Sequence, residues 1–125
     1  MQTIKAVIFD IDGTLANTVP LCVQAFRQAM EPQLQRHLSD EEIIASFGPD
    51  EEGTIESFKP GDSKKALADF MHYYQSLHTA MCPSPFDGIK DLLETLKQKG
   101  MRLAIATGKG EDTIAISLKQ FGIAS

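Results

Sequence analysis

Two carboxylates separated by one residue stand where an apolar run ends. The run Ile4 to Phe9 is rich in β-branched and aromatic residues, which predicts a buried strand, and Asp10 and Asp12 follow it. Asp10, held at the strand end, could act as a nucleophile or metal ligand, and Asp12 on the turn could transfer a proton. Gly13 allows a tight turn that brings backbone N–H groups close to an anion. A plain Asp-Gly turn is the alternative, but it does not explain the whole stretch.

The stretch Asp10 to Thr18, D-I-D-G-T-L-A-N-T, resembles the first motif of the haloacid dehalogenase-like superfamily, most of whose members are phosphatases. The resemblance implies that Asp10 is the nucleophile that becomes an aspartyl-phosphate. It implies that Asp12 protonates the leaving group and then activates water. It also implies Mg²⁺ held by the Asp10 carboxylate and the Asp12 backbone carbonyl, with phosphate contacts at Ile11 and Asp12.

A second polar turn follows a second apolar run. Thr107, Gly108 and Lys109 come after the predicted strand Met101 to Ala106 and before a helix, where a hydroxyl and N–H groups can bind an anion. Taken alone, this pattern favours an ordinary turn. It resembles the superfamily's second motif, which implies that Thr107 hydrogen-bonds a phosphoryl oxygen and that Gly108 and Lys109 lie at the phosphate. A solvated loop lysine is the favoured alternative for Lys109.

Amphipathic helices fill the sequence between these two turns. We expect helices from Thr18 to about Pro32, from Ser39 to Gly48, from Thr54 to Phe58 and from Ser63 to Met81. The predicted apolar faces are Ile43, Ile44 and Phe47 in the second helix, and Leu67, Phe70, Met71, Tyr74, Leu77 and Met81 in the last.

A Pro-rich linker from Cys82 to Pro85 leads into a predicted helix from Phe86 to Lys99. The second strand comes next, and then a helix with Ile114, Ala115, Leu118 and Phe121 on its inner face. A strand–helix–strand order predicts a right-handed crossover and two parallel strands. The carboxyl ends of both strands would then lie side by side, with Asp10 near Thr107.

These elements predict an α/β fold. It resembles the superfamily's Rossmann-like parallel sheet, here incomplete with two strands visible, and an inserted all-helical cap. Residues 1–17 and 82–125 would form the partial core, and residues 18–81 the cap. The superfamily's third motif, a lysine, and its fourth, one or two acidic residues, have no counterpart before Ser125. We therefore expect a truncated form of a protein of about 200 residues or more, which fits ordinary domain sizes.

Composition narrows the possible functions. The 125 residues are 42% hydrophobic, enough for a core, and carry a formal charge of −5, which opposes nucleic-acid or anionic-membrane binding. We find neither a signal peptide nor a membrane-spanning run, and Cys22 and Cys82 predict free thiols, so we expect a cytoplasmic protein. We expect the rings of the three histidines, His37, His72 and His78, to be solvated or partly packed. The acidic run Asp50 to Glu52 predicts solvated faces and caps.

The resulting function is a Mg²⁺-dependent phosphatase that acts on a small phosphorylated metabolite. The cap resembles the phosphoglycolate phosphatase and β-phosphoglucomutase group, which leaves phosphoglycolate, pyrophosphate, a nucleoside monophosphate or a sugar phosphate as substrate, and a mutase as an alternative. Dehalogenation is disfavoured because the superfamily's dehalogenases lack an acid at the position of Asp12. The other alternative is an inactive fragment that binds phosphate or metal weakly or assembles through its sheet edge. The oligomeric state stays open.

Overall fold

The computed structural model describes residues 5–48, 50–105 and 110–123. These residues form two strands and six helices in the predicted order. The elements are β1 (Ala6–Phe9), α1 (Val19–Leu34), α2 (Asp40–Ala45), α3 (Glu51–Ser57), α4 (Ser63–Met81), α5 (Ile89–Gln98), β2 (Arg102–Ile105) and α6 (Glu111–Phe121). No helix in this described part is both long and apolar enough to cross a bilayer.

The two strands pair directly and in parallel, with α5 as the crossover helix between them. The register runs from Ala6 opposite Arg102 to Phe9 opposite Ile105. This pairing confirms the predicted α/β fold and its parallel strands. It also brings the carboxyl ends of β1 and β2 to one edge of the sheet, which we call the strand-end edge.

The main hydrophobic cluster lies between α1 and α4. On α4, the buried side chains recur every four residues, at Ala66, Phe70, Tyr74 and His78, and so form one stripe along the helix. On α1, two such rows are buried: Leu21, Ala25 and Ala29, and Cys22, Phe26 and Met30. The helices from α1 to α4, which we call the helical segment, therefore hold most of the core.

One face of the sheet differs from the sequence prediction of a buried strand. Ile8 in the middle of β1 is 67% exposed, whereas its neighbours Val7 and Phe9 are half-buried. Phe9 and Leu103 instead line a cleft of about 380 Å³ together with residues of α5 and α6. A strand with helices on one side only alternates in exposure, which is the pattern of both β1 and β2.

Two helix boundaries in the helical segment also differ from the prediction. Helix α2 ends at Ala45 rather than at Gly48, and Ile44 and Phe47 are exposed, so that only Ile43 of the predicted apolar face is buried. Helix α3 starts at Glu51 rather than at Thr54. Its earlier start follows from Asp50, whose side chain accepts the Gly53 N–H at 2.9 Å as the N-cap.

Helix α6 buries a different stripe from the predicted one. The buried residues are Thr113, Ser117 and Phe121, at a spacing of four, and they face the helical segment. Of the predicted inner face only Phe121 is buried; Ala115 is exposed, while Ile114 and Leu118 are half-buried beside the sheet. The reason is tertiary, because α4 packs directly on α6.

The prediction of a solvated or partly packed ring is wrong for His78, which is fully buried. Its Nδ1 lies 2.9 Å from the Cys82 carbonyl oxygen and its Nε2 lies 2.8 Å from Ser117 Oγ. A carbonyl can only accept, so Nδ1 carries a proton. Ser117 Oγ also lies 2.7 Å from Tyr74 Oη, which makes a buried polar chain between α4 and α6. His37 and His72 are exposed, as predicted.

Candidate functional site at the strand-end edge

Asp10 is the first residue after β1, and its side chain is exposed at the strand-end edge. Its Oδ1 accepts the N–H of Ile11 at 2.7 Å, which orients the carboxylate. The Ile11 side chain is 1% exposed and so anchors the start of the turn in the interior. An exposed carboxylate on an anchored turn is accessible to a ligand and restricted in its motion.

The turn after Asp10 is closed by its own backbone. The Ile11 carbonyl accepts three N–H groups, those of Thr14, Leu15 and Ala16, at 3.1–3.2 Å. The Gly13 N–H returns to the Ala16 carbonyl at 2.8 Å, and Gly13 has a φ of +76°, a left-handed conformation that favours glycine. These bonds fix the separation of Asp10 and Asp12.

Asp12 is half-buried, and its orientation is set by the start of α1. The fully buried Thr18 hydroxyl donates to Asp12 Oδ1. The buried Cys82 thiol lies close enough to respond to this carboxylate. Burial raises the pKa of Cys82, a hydrogen bond with the Asn17 backbone lowers it, and the Asp12 charge raises it again.

The linker that follows the helical segment contacts the turn after β1. The Phe86 N–H donates to the Leu15 carbonyl at 2.9 Å, and Cys82, which directly follows α4, is buried. The linker between α4 and α5 is therefore hydrogen-bonded to the turn that carries the two carboxylates.

The second predicted motif falls outside the described residues, since Thr107, Gly108 and Lys109 all lie in the gap between 105 and 110. The register of Phe9 opposite Ile105 shows that the two strands end together, as predicted. The roles of Thr107, Gly108 and Lys109, and those of Asp10, Ile11 and Asp12, stay predictions.

The oxygen atoms of Asp10 and Asp12 can supply only part of the coordination that a hard cation needs. Mg²⁺ takes about six oxygen ligands, and the exposed carboxylate of Asp10 is of the right type. Within residues 5–48, 50–105 and 110–123, no group of three or more His, Cys, Asp or Glu side chains could hold a metal ion. Asp10 and Asp12 therefore fit Mg²⁺ in chemistry, and water, substrate or other oxygen atoms would have to complete its coordination.

One contact at this edge is absent from the sequence prediction. Glu51, interpreted as part of a solvated acidic run, extends from α3 to the start of α6 and accepts the Gly110 N–H at 2.6 Å. Its other oxygen accepts the hydroxyl of Thr113. The only signal in the sequence was its neighbour Asp50, which marks the start of a helix and so places Glu51 in a first turn.

Comparisons with known proteins identify the family of the chain. A family model described as haloacid dehalogenase-like hydrolase matches residues 7–125. A pyrophosphatase of Bacillus pumilus is 29% identical over 122 residues, which are 98% of this chain and 56% of that protein. A tyrosine-protein kinase of Mycobacterium tuberculosis is 36% identical over an alignment of 128 positions, which covers 95% of this chain and 41% of that protein.

Solved structures show the same fold. The protein CbbY of Rhodobacter sphaeroides, solved in complex with phosphate, aligns with a TM-score of 0.79 at 24% identity, over 96% of this chain and 58% of that one. The chain thus spans about half the length of the relatives it matches.

Proposed function

The chain belongs to the haloacid dehalogenase-like hydrolase family, and on that premise we propose that it carries the nucleophile and the acid–base residue of a Mg²⁺-dependent phosphatase. The observation that supports this most is the placement of Asp10, exposed at the end of β1 and oriented by the Ile11 N–H. In parallel α/β sheets, ligands bind at the carboxyl ends of the strands. The second carboxylate, Asp12, stands on the same closed turn and is held by Thr18.

Asp10 would attack the phosphorus atom, form an aspartyl-phosphate and release an alcohol or a second phosphate. Asp12 would donate a proton to that leaving group and then accept one from the water that hydrolyses the aspartyl-phosphate. Thr18 would keep the Asp12 carboxylate directed to the reacting atoms. By their resemblance to the family motifs, Ile11, Asp12, Thr107, Gly108 and, more weakly, Lys109 would contact the phosphoryl oxygens.

The Asp10 carboxylate and the Asp12 backbone carbonyl would hold Mg²⁺. When bound, this ion would neutralise phosphate charge and lower the repulsion between Asp10 and the substrate. The formal charge of the chain is −5, which does not by itself attract an anionic substrate. A bound cation would supply the positive charge at the site.

We propose that residues 18–81 act as the cap of the site and that residues 1–17 and 82–125 belong to its core. The linker after α4 supports this division, because it returns directly to the turn at Leu15. A helical layer at the strand-end edge would exclude water and contact the substrate.

The proposed substrate is a small phosphorylated metabolite in the cytoplasm, with pyrophosphate and phosphoglycolate first. One relative is named a pyrophosphatase, and a structural neighbour is described as a predicted phosphoglycolate phosphatase of Haemophilus somnus. Phosphotransfer to an acceptor other than water is the second candidate, since one relative is named a tyrosine-protein kinase. The two differ in product, free orthophosphate in one case and a phosphorylated acceptor in the other.

The first test is orthophosphate release from pyrophosphate, phosphoglycolate and p-nitrophenyl phosphate, with Mg²⁺ and with a chelator. Asp10→Asn should reduce release to background, because an amide is a poor nucleophile, yet its oxygen can still accept the Ile11 N–H. Asp12→Asn should lower release by roughly a hundred- to ten-thousandfold. Asp91→Asn, an exposed first-turn carboxylate of α5, is the matched control and should retain full activity.

A covalent readout separates the proposal from its alternative. Rapidly quenched protein should carry one phosphoryl group on the peptide that contains Asp10, and the Asp10→Asn protein should carry none. Undiminished turnover in Asp10→Asn would refute the assignment. No phosphoryl group and no turnover in the unaltered chain would favour the fragment that only binds phosphate or metal.

A further inference from the structure

Glu51 joins the helical segment to the start of α6 by two hydrogen bonds. Its Oε2 accepts the Gly110 N–H at 2.6 Å, and its Oε1 accepts the Thr113 hydroxyl. Glu51 is half-buried and Thr113 is fully buried. Both bonds have an ionised acceptor, and such bonds contribute about twice as much as neutral ones.

The start of α6 depends on this carboxylate. Helices α2, α3 and α4 each have an N-cap side chain of their own, in Ser39, Asp50 and Asp62. The N-cap of α6 is Gly110, which has no side chain to offer. Those three caps accept the N–H of the third helical residue. Glu51 instead accepts the N–H of the N-cap residue Gly110 and the hydroxyl of Thr113. Its negative charge complements the positive end of α6.

Gly110 leaves room for the carboxylate. A Cβ at this position would lie 2.7 Å from Glu51 Oε2, closer than such atoms approach in proteins. The backbone of Gly110, at φ −73° and ψ 162°, is one that any residue adopts. A larger residue at this position would therefore displace the Glu51 carboxylate, whereas the backbone conformation itself would accept any residue.

We propose that Glu51 is a latch that holds the start of α3 onto the start of α6. Helix α4 is attached to α6 separately, through Tyr74, His78 and Ser117. Helix α6 follows β2 in the chain, and β2 ends beside β1, the strand that Asp10 follows. Opening of the latch would free the start of α3 from α6 while α4 stays packed on α6. That this opening admits substrate rests on the proposed function, whereas the latch itself does not.

Amide hydrogen exchange measured by NMR on the full chain tests the latch without any turnover. Glu51→Ala should accelerate exchange of the Thr54 and Ile55 amides in α3 by about ten- to a hundredfold, the loss expected for hydrogen bonds to a charged group. Exchange of the Tyr74 and His78 amides in α4 should change less than about twofold, because α4 stays attached to α6 through Ser117. Glu52→Ala, in the same first turn, is the matched control and should change neither.

Gly110→Ala should reproduce the effect of Glu51→Ala, because the new methyl group displaces the carboxylate. Gly61→Ala is its control, since a Cβ there meets only one side-chain atom, at 3.9 Å. The double variant Glu51→Ala/Gly110→Ala should exchange no faster than either single variant, because both remove the same contact. Glu51→Gln should restore slow exchange, since its oxygen can accept the Gly110 N–H and its amide can donate to Thr113.

Three results would overturn the latch. The first is α3 exchange in Glu51→Ala equal to that of Glu52→Ala. The second is an equal acceleration in α3 and α4, which would mean that the contact serves global stability alone. The third is additivity of the two substitutions. Each of these outcomes is independent of phosphatase activity, so failure of the latch and failure of the proposed function can be told apart.

Discussion

Thr18 donates its hydroxyl hydrogen bond to Asp12, although it occupies the N-cap position of α1. The Thr18 side chain makes no capping bond to its own helix. A fully buried hydroxyl thus orients a half-buried carboxylate six residues earlier in the chain. This hydrogen bond consequently links Thr18, which precedes α1, to the turn that follows β1.

Thr18→Val should reduce the free energy of unfolding by about 1–3 kcal/mol, because it removes a hydrogen bond to a carboxylate while nearly keeping the shape of the side chain. If the chain hydrolyses phosphomonoesters, the same substitution should lower its turnover. Urea unfolding followed by circular dichroism measures the stability. Thr18→Ser keeps the hydroxyl and should recover most of the loss. A Thr18→Val protein as stable as the unaltered chain would contradict the importance of this bond.

The thiol of Cys82 should titrate above the ordinary pKa of cysteine, because burial raises its pKa most strongly. A raised pKa in the folded state means that the folded protein binds this proton more tightly than the unfolded chain. The associated stability is therefore fully present below the thiol pKa of the unfolded chain, and it is lost as the pH rises through the higher pKa of the folded protein.

Thiolate absorbance of a Cys22→Ala chain, in which Cys82 is the only cysteine, measures this pKa. Asp12→Asn should lower the pKa of Cys82 towards its ordinary value, since the Asp12 charge raises it. Asp91→Asn, on the exposed first turn of α5, should leave it unchanged. Titration of Cys82 below its ordinary value would show that the Asn17 hydrogen bond outweighs burial.

Ser117→Ala should destabilise the chain by about 2 kcal/mol, at roughly 1 kcal/mol for each of the bonds to Tyr74 and His78. Ser76→Ala is the control, because its hydroxyl bonds an exposed backbone carbonyl on α4 and should contribute less than about 0.5 kcal/mol. Thermal and urea unfolding of the two variants give the comparison. Equal stabilities would refute a structural role for the buried polar chain.

Ile8→Ala should change the free energy of unfolding by less than about 1 kcal/mol, because Ile8 is 67% exposed. Ile43→Ala, the same substitution at a fully buried position of α2, should cost about 2–5 kcal/mol. Because both variants replace Ile by Ala, the difference between their free energies of unfolding reports the effect of burial. A large loss in Ile8→Ala would show that this face of the sheet is covered in solution.

Local rules predicted the element order and the parallel strands. The recurrence of apolar residues at three and four positions from Ser63 to Met81 predicts α4 without reference to the rest of the chain, and both predicted ends are correct. The strand–helix–strand order predicts parallel pairing, because parallel strands need a long crossover connection, which is usually a helix. The observed pairing is parallel. Asp10 was located by the same logic, as the residue at which an apolar strand stops.

The errors about Glu51, His78 and Ile8 concern contacts between distant segments. Glu51 looks like a solvated acid within its own helix, and its partners follow it by 59 and 62 residues. His78 belongs to the apolar stripe of α4 only because Ser117 and Cys82 satisfy its nitrogens. Ile8 was predicted buried from its residue type, whereas burial depends on which layers cover the sheet. No periodicity within one element carries that information.

The buried stripe of α6 also sets an order of events during folding. Thr113 and Ser117 bond to residues 62 and 39 positions earlier, so α6 leaves the ribosome after both of its partners. Until then, α3 and α4 lack these contacts, and the late closure over such separations should slow the last step of folding. The helices of the segment should accordingly gain helicity early and acquire fixed packing only when α6 arrives.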